Sequence, residues 1–316
     1  MARSVERVDA AVARTEADGL EVRRALPRDG VPHVNPFLLV EEIGPVNLAA
    51  DVSTAQRPAR GFEEITWVLA GTVDHIRRER GADVTTAIGP NNAEWLSTGR
   101  GDVYRERFVT GAGVRTIRIW ISQPRKERQA EPAFVVAAPG TDTLQMWTTA
   151  GAPSGDLRVD LLTGRLLGAR ARIQPRTRVT VARLQIPADT TFIHAIETLE
   201  PGLEPPTVLL YGLAGQAMVG PAVAPVGGRA EQLVRAQELA VLTPPPGRGP
   251  LTINADEVRI RTRPAETFDV LWLCGFPVGT RADEPFVRRG SIVMRTEEEV
   301  LQTIEDFRTG RMGSLI

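Results

Sequence analysis

At 316 residues the chain has room for about two domains of the usual ~100–200 residues each. Hydrophobic residues make up 42% and charged residues 24%, as in an ordinary soluble globular protein. The formal net charge of −1 offers no electrostatic basis for binding nucleic acid or an anionic membrane. The N-terminus has no apolar core and no run reaches the ~18 apolar residues of a membrane span, so neither a signal peptide nor a transmembrane segment is expected. Lys126 is the only lysine, a bias that fits a GC-rich genome better than an arginine-specific function. Cys274 has no partner for an internal disulfide and lies in the apolar run Val270–Phe276. It reads as a small buried hydrophobe, and a reducing cytoplasm is the expected location.

Residues 1–17 are polar and alanine-rich and read as a lead into the first domain, whose first strand is expected near Leu20–Arg24. Short apolar runs follow at Phe37–Val40, Glu64–Leu69, Val73–Arg77, Val84–Ala87 and Arg115–Ser122, with Gly- and Pro-containing breaks between them. Many short strands at this spacing predict an all-β barrel or sandwich. The charged, Pro-containing stretch Gln123–Ala137 reads as a connector, which places domains at 1–133 and 134–316. A second β-rich half has runs at Arg158–Leu162, Arg170–Ile173, Val179–Ile186, Thr207–Tyr211, Met218–Gly220, Ala240–Leu242 and Val270–Cys274. Thr243–Pro250 holds four prolines and is expected to be a loop, because proline removes ladder donors. The C-terminus carries the clearest helix signal, from about Glu297 to Thr309. Thr296 can cap it, Glu299 can complete a capping box, and Val300, Leu301, Ile304 and Phe307 form an apolar stripe. His33, His75 and His194 each stand alone and read as structural.

The stretch Arg57–Gly71 carries the functional argument. Read as one strand, residues 57, 59, 61, 63, 65, 67 and 69 share a face. Tyr104 and Glu106 form another i, i+2 pair in the segment from Trp95 to Glu106. Two such pairs facing a common interior are the layout by which a small β-barrel builds a four-ligand metal site.

These segments resemble the pirin family of bicupins, whose text runs close to His-Pro-His-Arg-Gly-Phe-Glu and then Gly-Arg-Gly-x-x-His-x-Glu. The chain keeps Pro58, Arg60, Gly61, Phe62 and Glu63, then Gly99, Arg100 and Gly101. Asn35–Pro45, Glu131-Pro132 and the segment from Glu284 to Glu299 resemble further family islands in the same order. The resemblance implies an all-β fold of two cupin-type barrels in tandem with a short C-terminal helix. In that family three histidines and a glutamate hold one iron. Here the histidine positions fall on Arg57, Ala59 and Tyr104, and only Glu106 remains.

Ala59 offers no donor atom and Arg57 keeps its protons, so no metal and no other cofactor is expected. A carboxylate facing a barrel interior is costly unless paired, and Arg57 is the expected partner of Glu106. Two readings of Tyr104, Glu106 and Arg57 stay open: a repaired structural relic, or a catalytic set able to polarise a carbonyl or move a proton. Ala59, Phe62, Glu63, Trp67, Trp95 and Trp120 are the expected lining for a hydrophobic small molecule. The leading functional expectation is a metal-independent isomerase or cyclase, including cycloaddition, acting on a polyketide-like intermediate. A non-catalytic binding or regulatory protein is the alternative, and a quercetinase-type dioxygenase with a relocated metal is a third. No phosphate-cradling loop, Gly-x-Ser-x-Gly or Cys-x-x-Cys motif is present.

Overall fold

A computed structural model describes residues 1–16, 18–31, 33–79, 81–138, 144–148, 156–196, 204–225, 229–244, 256–279, 287–313 and 315, with the backbone alone at 112 and 144–148. Most of the expected proline-rich loop and residues 284–286 of the last family-like island lie outside them. Among the described residues the fold is β apart from a 3-10 turn at Arg125–Glu127 and one helix, Glu297–Arg308. Two compact units emerge, and they do not follow a single cut in the chain. The amino-terminal unit comprises Val12–Pro139, Pro175–Thr177 and Val278–Ile316; the carboxy-terminal unit comprises Met1–Ala11, Gly140–Gln174 and Arg178–Pro277.

Hydrogen bonding explains that division. The first residues are not a mere lead-in: Ser4–Ala10 is a strand that pairs antiparallel with Glu238–Thr243. It is fastened by Arg3, whose guanidinium holds Asp256 through two bonds and the Pro206 carbonyl through a third. At the other end, a hairpin of Val287–Arg289 and Ile292–Met294 docks on Arg60, with the Val293 amide donating to the Arg60 carbonyl at 3.0 Å. The C-terminal helix follows that hairpin into the amino-terminal unit.

The amino-terminal unit is built from two sheets. The seven-stranded one contains Phe37–Leu48, Gly111–Ser122, Phe62–Ala70, Ala93–Ser97 and Ala133–Ala137 as successive neighbours. The last of these is a strand inside the stretch that the charge pattern marks as a connector. The five-stranded sheet joins Asp102–Phe108 to Val73–Glu79, Arg57–Ala59 and two further strands. In the carboxy-terminal unit a cluster of Val, Leu, Ile, Phe192, Phe268 and Trp272 fills the core.

The helix begins at its cap as expected, with Thr296 Oγ1 accepting from the Glu299 amide at 3.2 Å. Glu299 reaches back to the Arg295 amide, one residue before the cap. Val300 and Thr303 are buried and Ile304 packs on Ile292 and Met294, whereas Leu301 is 54% exposed and lies outside the stripe. No helix among the described residues is long and apolar enough to cross a membrane.

Candidate functional site

Arg57–Gly71 is not one strand. Gly61, at φ 89°, breaks the run between Arg57–Ala59 and Phe62–Ala70, and the two pieces join different sheets. A β-carbon at Gly61 would stand 1.9 Å from the Val293 carbonyl oxygen, so only glycine fits this turn. The break changes which residues face inward. Arg57 and Ala59 point into the barrel from one piece, but on the other piece the inward residues are Phe62, Glu64 and Thr66. A one-residue slip of this kind exchanges the faces of every later position.

Antiparallel registers then assemble the interior row by row. On the seven-stranded sheet Leu39, Trp120, Glu64, Leu96 and Phe134 stand side by side, and next to them Glu41, Arg118, Thr66 and Glu94. The facing sheet supplies Arg57 opposite Tyr104 and His75 opposite Glu106. Polar atoms of the two rows meet in the middle. The Tyr104 hydroxyl donates to Glu64 Oε2 at 2.6 Å. Arg118 is held by three carboxylates, with Nε 3.1 Å from Glu64, Nη1 3.1 Å from Glu41, and Nη2 donating to Glu106 Oε2. Arg57 Nη1 donates to the same Glu106 oxygen at 2.9 Å, and its Nη2 lies 3.6 Å from Asp18. His75 lies 2.9 Å from Glu94 and stacks on Tyr104 with ring centroids 4.8 Å apart. Tyr104, Glu64, Glu106 and His75 are fully buried, while the Arg57 side chain keeps 21% of its surface exposed.

Burial and charge drive these groups apart in proton affinity. Burial raises Glu64 above the usual carboxylate range, only partly offset by Arg118. Burial works the same way on Glu106, but the charges of Arg118, Arg57 and His75 outweigh it and hold that carboxyl low. Burial and the neighbouring Glu64 push Tyr104 well above the ordinary phenol value, so it stays a donor. His75 would be lowered by burial, yet the charge and contact of Glu94 raise it.

Of the expected site residues, Arg57, Tyr104 and Glu106 come together, with Ala59, Phe62 and Trp120 in one apolar cluster beside them. Phe62 stacks on Trp120 at 4.3 Å. Ala59 has no exposed surface, so its small size is already used in packing. Glu63, Trp67 and Trp95 do not join this lining; alternation puts them on the opposite face of the sheet. There Glu63 accepts from Trp95 Nε1 at 2.8 Å and from the amides of Arg176 and Thr177, anchoring a passing segment. Glu41, Glu64, His75, Glu94 and Arg118 belong to the site and escape sequence reasoning. For Arg118 the available signal was its position two before Trp120; for His75 it was the alternation of Val73–Arg77.

The amino-terminal half matches the family model for pirin over residues 19–121, and residues 199–313 match the model for the pirin C-terminal cupin domain. The chain belongs to the pirin family, as a bicupin. Human pirin is 24% identical over 300 residues, covering 95% of this chain and 90% of the relative. A pirin-like protein of Solanum lycopersicum is also 24% identical, over 301 residues, with 95% and 90% coverage. The crystal structure of a quercetin 2,3-dioxygenase from Acinetobacter baumannii superposes with a TM-score of 0.80 at 18% identity, covering all of both chains, which establishes the shared fold.

The iron that this family implies does not fit the residues present. Arg57 is spent on Glu106, Ala59 has no donor, Tyr104 is a phenol bonded to Glu64, and Glu106 Oε2 carries two guanidinium contacts. Glu64, Glu94 and Glu106 do bring carboxylate oxygens within 4.8 Å of one another, a spacing a divalent ion could bridge. Arg118 bonds two of those three, so the chain itself brings a cation to that place.

Proposed function

We propose that this pirin-family protein is a metal-independent enzyme whose amino-terminal barrel performs proton-transfer chemistry on an apolar small molecule, an isomerisation or ring closure. One observation supports this reading above the others. Two buried carboxyls with oxygens within 4.8 Å of each other, Glu64 and Glu106, have proton affinities displaced in opposite directions, and a phenol bonds one of them. Such a pair divides the work of acid and base. Glu106, ionised and with Oε1 lacking a hydrogen-bond partner among the described residues, takes a proton from the substrate. Tyr104 turns its hydroxyl from Glu64 to a carbonyl oxygen and gives up its proton there; Glu106 then delivers the proton it took to another carbon, and the enol hydroxyl returns its own to Tyr104. Arg118 and Arg57 keep Glu106 charged between turnovers. Arg57 is the one member with a partly exposed side chain and marks the side from which substrate enters. A polyketide-like intermediate, flexible and largely apolar, is a substrate that such an interior could hold in a reactive fold.

A second reading has its own support: every one of these groups except Arg57 is buried and bonded, as in a repaired scaffold that binds without catalysis. The experiment that separates them uses unsaturated ketones and polyenones as a substrate panel, followed by chromatography and mass spectrometry. Products of unchanged mass that vanish in Glu106→Gln support the proposal. Products that gain two oxygen atoms and require added iron would replace it with a dioxygenase, and no product with any panel member would favour the scaffold.

A further inference from the structure

Among the described residues Arg24, Arg57 and Arg288 flank the buried polar centre of the amino-terminal barrel, and the first two have carboxylate partners. Arg24 bonds Glu41 and Glu16, and Arg57 bonds Glu106 and faces Asp18. Arg288 has none among the described residues. It sits in the hairpin that closes over the barrel, opposite Val293, which packs with Ala59, Phe62, Tyr104 and Trp120. Its guanidinium lies 4.6 Å from the ring centroid of Trp120. Among the described residues its hydrogen bonds go to two carbonyls, Nε to Gly290 at 3.2 Å and Nη1 to Leu38 at 3.4 Å.

A guanidinium carries five N–H donors, and most of those of Arg288, in a half-buried place, have no acceptor among the described residues. The nearest anions, Glu41 and Glu16, are already bonded to Arg24, whose own positive charge repels Arg288. Burial and then Arg24 accordingly weaken its hold on its proton. A half-buried cation with a flat aromatic surface beneath it and no counter-ion among the described residues is what a carboxylate on a planar apolar body would complete.

We propose that Arg288 and Trp120 form an anion subsite, and that the molecule taken into this barrel is a carboxylate with an apolar, planar or conjugated body. The carboxylate bonds Arg288 at the rim and the body lies against the rim edge of Trp120, the member of this cluster that keeps some exposed surface. The subsite names the substrate class of the proposed enzyme, but binding at it does not depend on catalysis.

The test uses 2-naphthoate and its uncharged counterpart 2-naphthamide, titrated by calorimetry against the full-length protein. The wild type should bind naphthoate at least tenfold more tightly than naphthamide. Arg288→Gln should erase that preference, Arg288→Lys should keep part of it, and Arg289→Gln, on the exposed neighbour, should change nothing. An Arg288→Gln protein with normal circular dichroism and an unchanged tenfold preference overturns the proposal. So does a wild type that binds neither probe, or both equally; a lower melting temperature with no change in preference would leave Arg288 a hairpin clasp only. If naphthoate binds through Arg288 while no substrate is turned over, the subsite stands and the enzymatic reading falls. If turnover is found and Arg288→Gln leaves KM unchanged for an acid and its amide, the reverse holds.

Discussion

The two units of this chain are made of the same material, short antiparallel strands whose side chains alternate, yet their interiors have little in common. Among the described residues the buried charged groups of the carboxy-terminal unit are Arg3, Asp160 and Asp256, and Arg3 and Asp256 simply pair with each other. The amino-terminal unit buries Glu41, Glu64, His75, Glu94, Glu106 and Arg118 together in its centre. An apolar interior is stable with little regard to detail, whereas a buried polar cluster is tolerable only when its members satisfy one another. The fold therefore accommodates both, and what each barrel can do has to be argued from its own side chains and not from the shared architecture.

The comparison can be broken most severely by removing what the amino-terminal unit takes from the end of the chain. Ending the chain after Met294 deletes Val300 and Leu315, both buried, together with the bond from Arg60 Nη1 to Asp306 at 2.9 Å. At roughly 1.5–3 kcal/mol for each fully buried large side chain, about 3–6 kcal/mol should be lost in denaturant unfolding. Hydrogen exchange should place that loss in the amino-terminal unit, and an unchanged melting temperature would contradict the docking described here.

Next in size is Arg118→Met. It leaves three carboxylates without their shared cation, and breaking a buried pair costs about 3–5 kcal/mol. Adding Glu64→Gln and Glu106→Gln to it should return part of the loss. Leu210→Ala in the carboxy-terminal core is expected to cost a similar ~2–5 kcal/mol through its cavity. The two differ in salt and pH response: only the first should depend on either. Equal insensitivity in both would mean that the charged centre is no more than packing.

What the sequence revealed of this contrast was uneven, for physical reasons. The β class, the C-terminal helix and the trio Arg57, Tyr104 and Glu106 were legible, because alternation and the family frame both point to them. Glu64 was hidden by Gly61, since a left-handed turn in mid-run shifts the inward face and made Glu63 look like the site residue. Arg118 was hidden by the usual rule that apolar residues face inward. In Arg115–Ser122 the residues Ile117 and Ile119 are buried on the other face, and the inward ones are Arg118 and Trp120. A sheet covered on both sides gives hydrophobic periodicity no way to tell its faces apart. His75 and Glu94 lie on separate strands, so only the register, Glu106 opposite His75 and Thr66 opposite Glu94, brings them to one place.

A smaller effect, on rate rather than stability, sharpens the functional side. Tyr104→Phe removes the hydroxyl that bonds Glu64 and leaves the ring stacked on His75. If Tyr104 is the acid, kcat should fall about 10–1,000-fold with KM little changed. A kcat within twofold of wild type would assign Tyr104 to packing alone.

The smallest expected effect is a pH dependence that the carboxy-terminal unit should lack, since His75 is the one histidine among the buried residues described. Burial lowers its proton affinity, but Glu94, then Glu106 and Glu64, raise it above the ordinary histidine value of about 6.5. A base bound more tightly to its proton in the folded state stabilises that state wherever it is protonated. The contribution is therefore complete below about pH 6.5 and is lost as pH rises through the higher folded value. Glu64, also raised, acts in the same sense from lower pH, and Glu106, lowered, acts oppositely in acid. Tyr104 stays protonated and Arg118 charged across the window, so neither contributes to it. The decisive quantity is thus the difference between wild type and variant across pH 6–9. Denaturant midpoints should fall with rising pH in the wild type and flatten in His75→Asn. In Glu94→Gln, where burial acts without its main opponent, the fall should shrink, and it reverses to a rise with pH once the folded value drops below the unfolded one. Parallel curves for all three proteins would show that His75 carries no proton of consequence, and that the network's charge is balanced by its arginines alone.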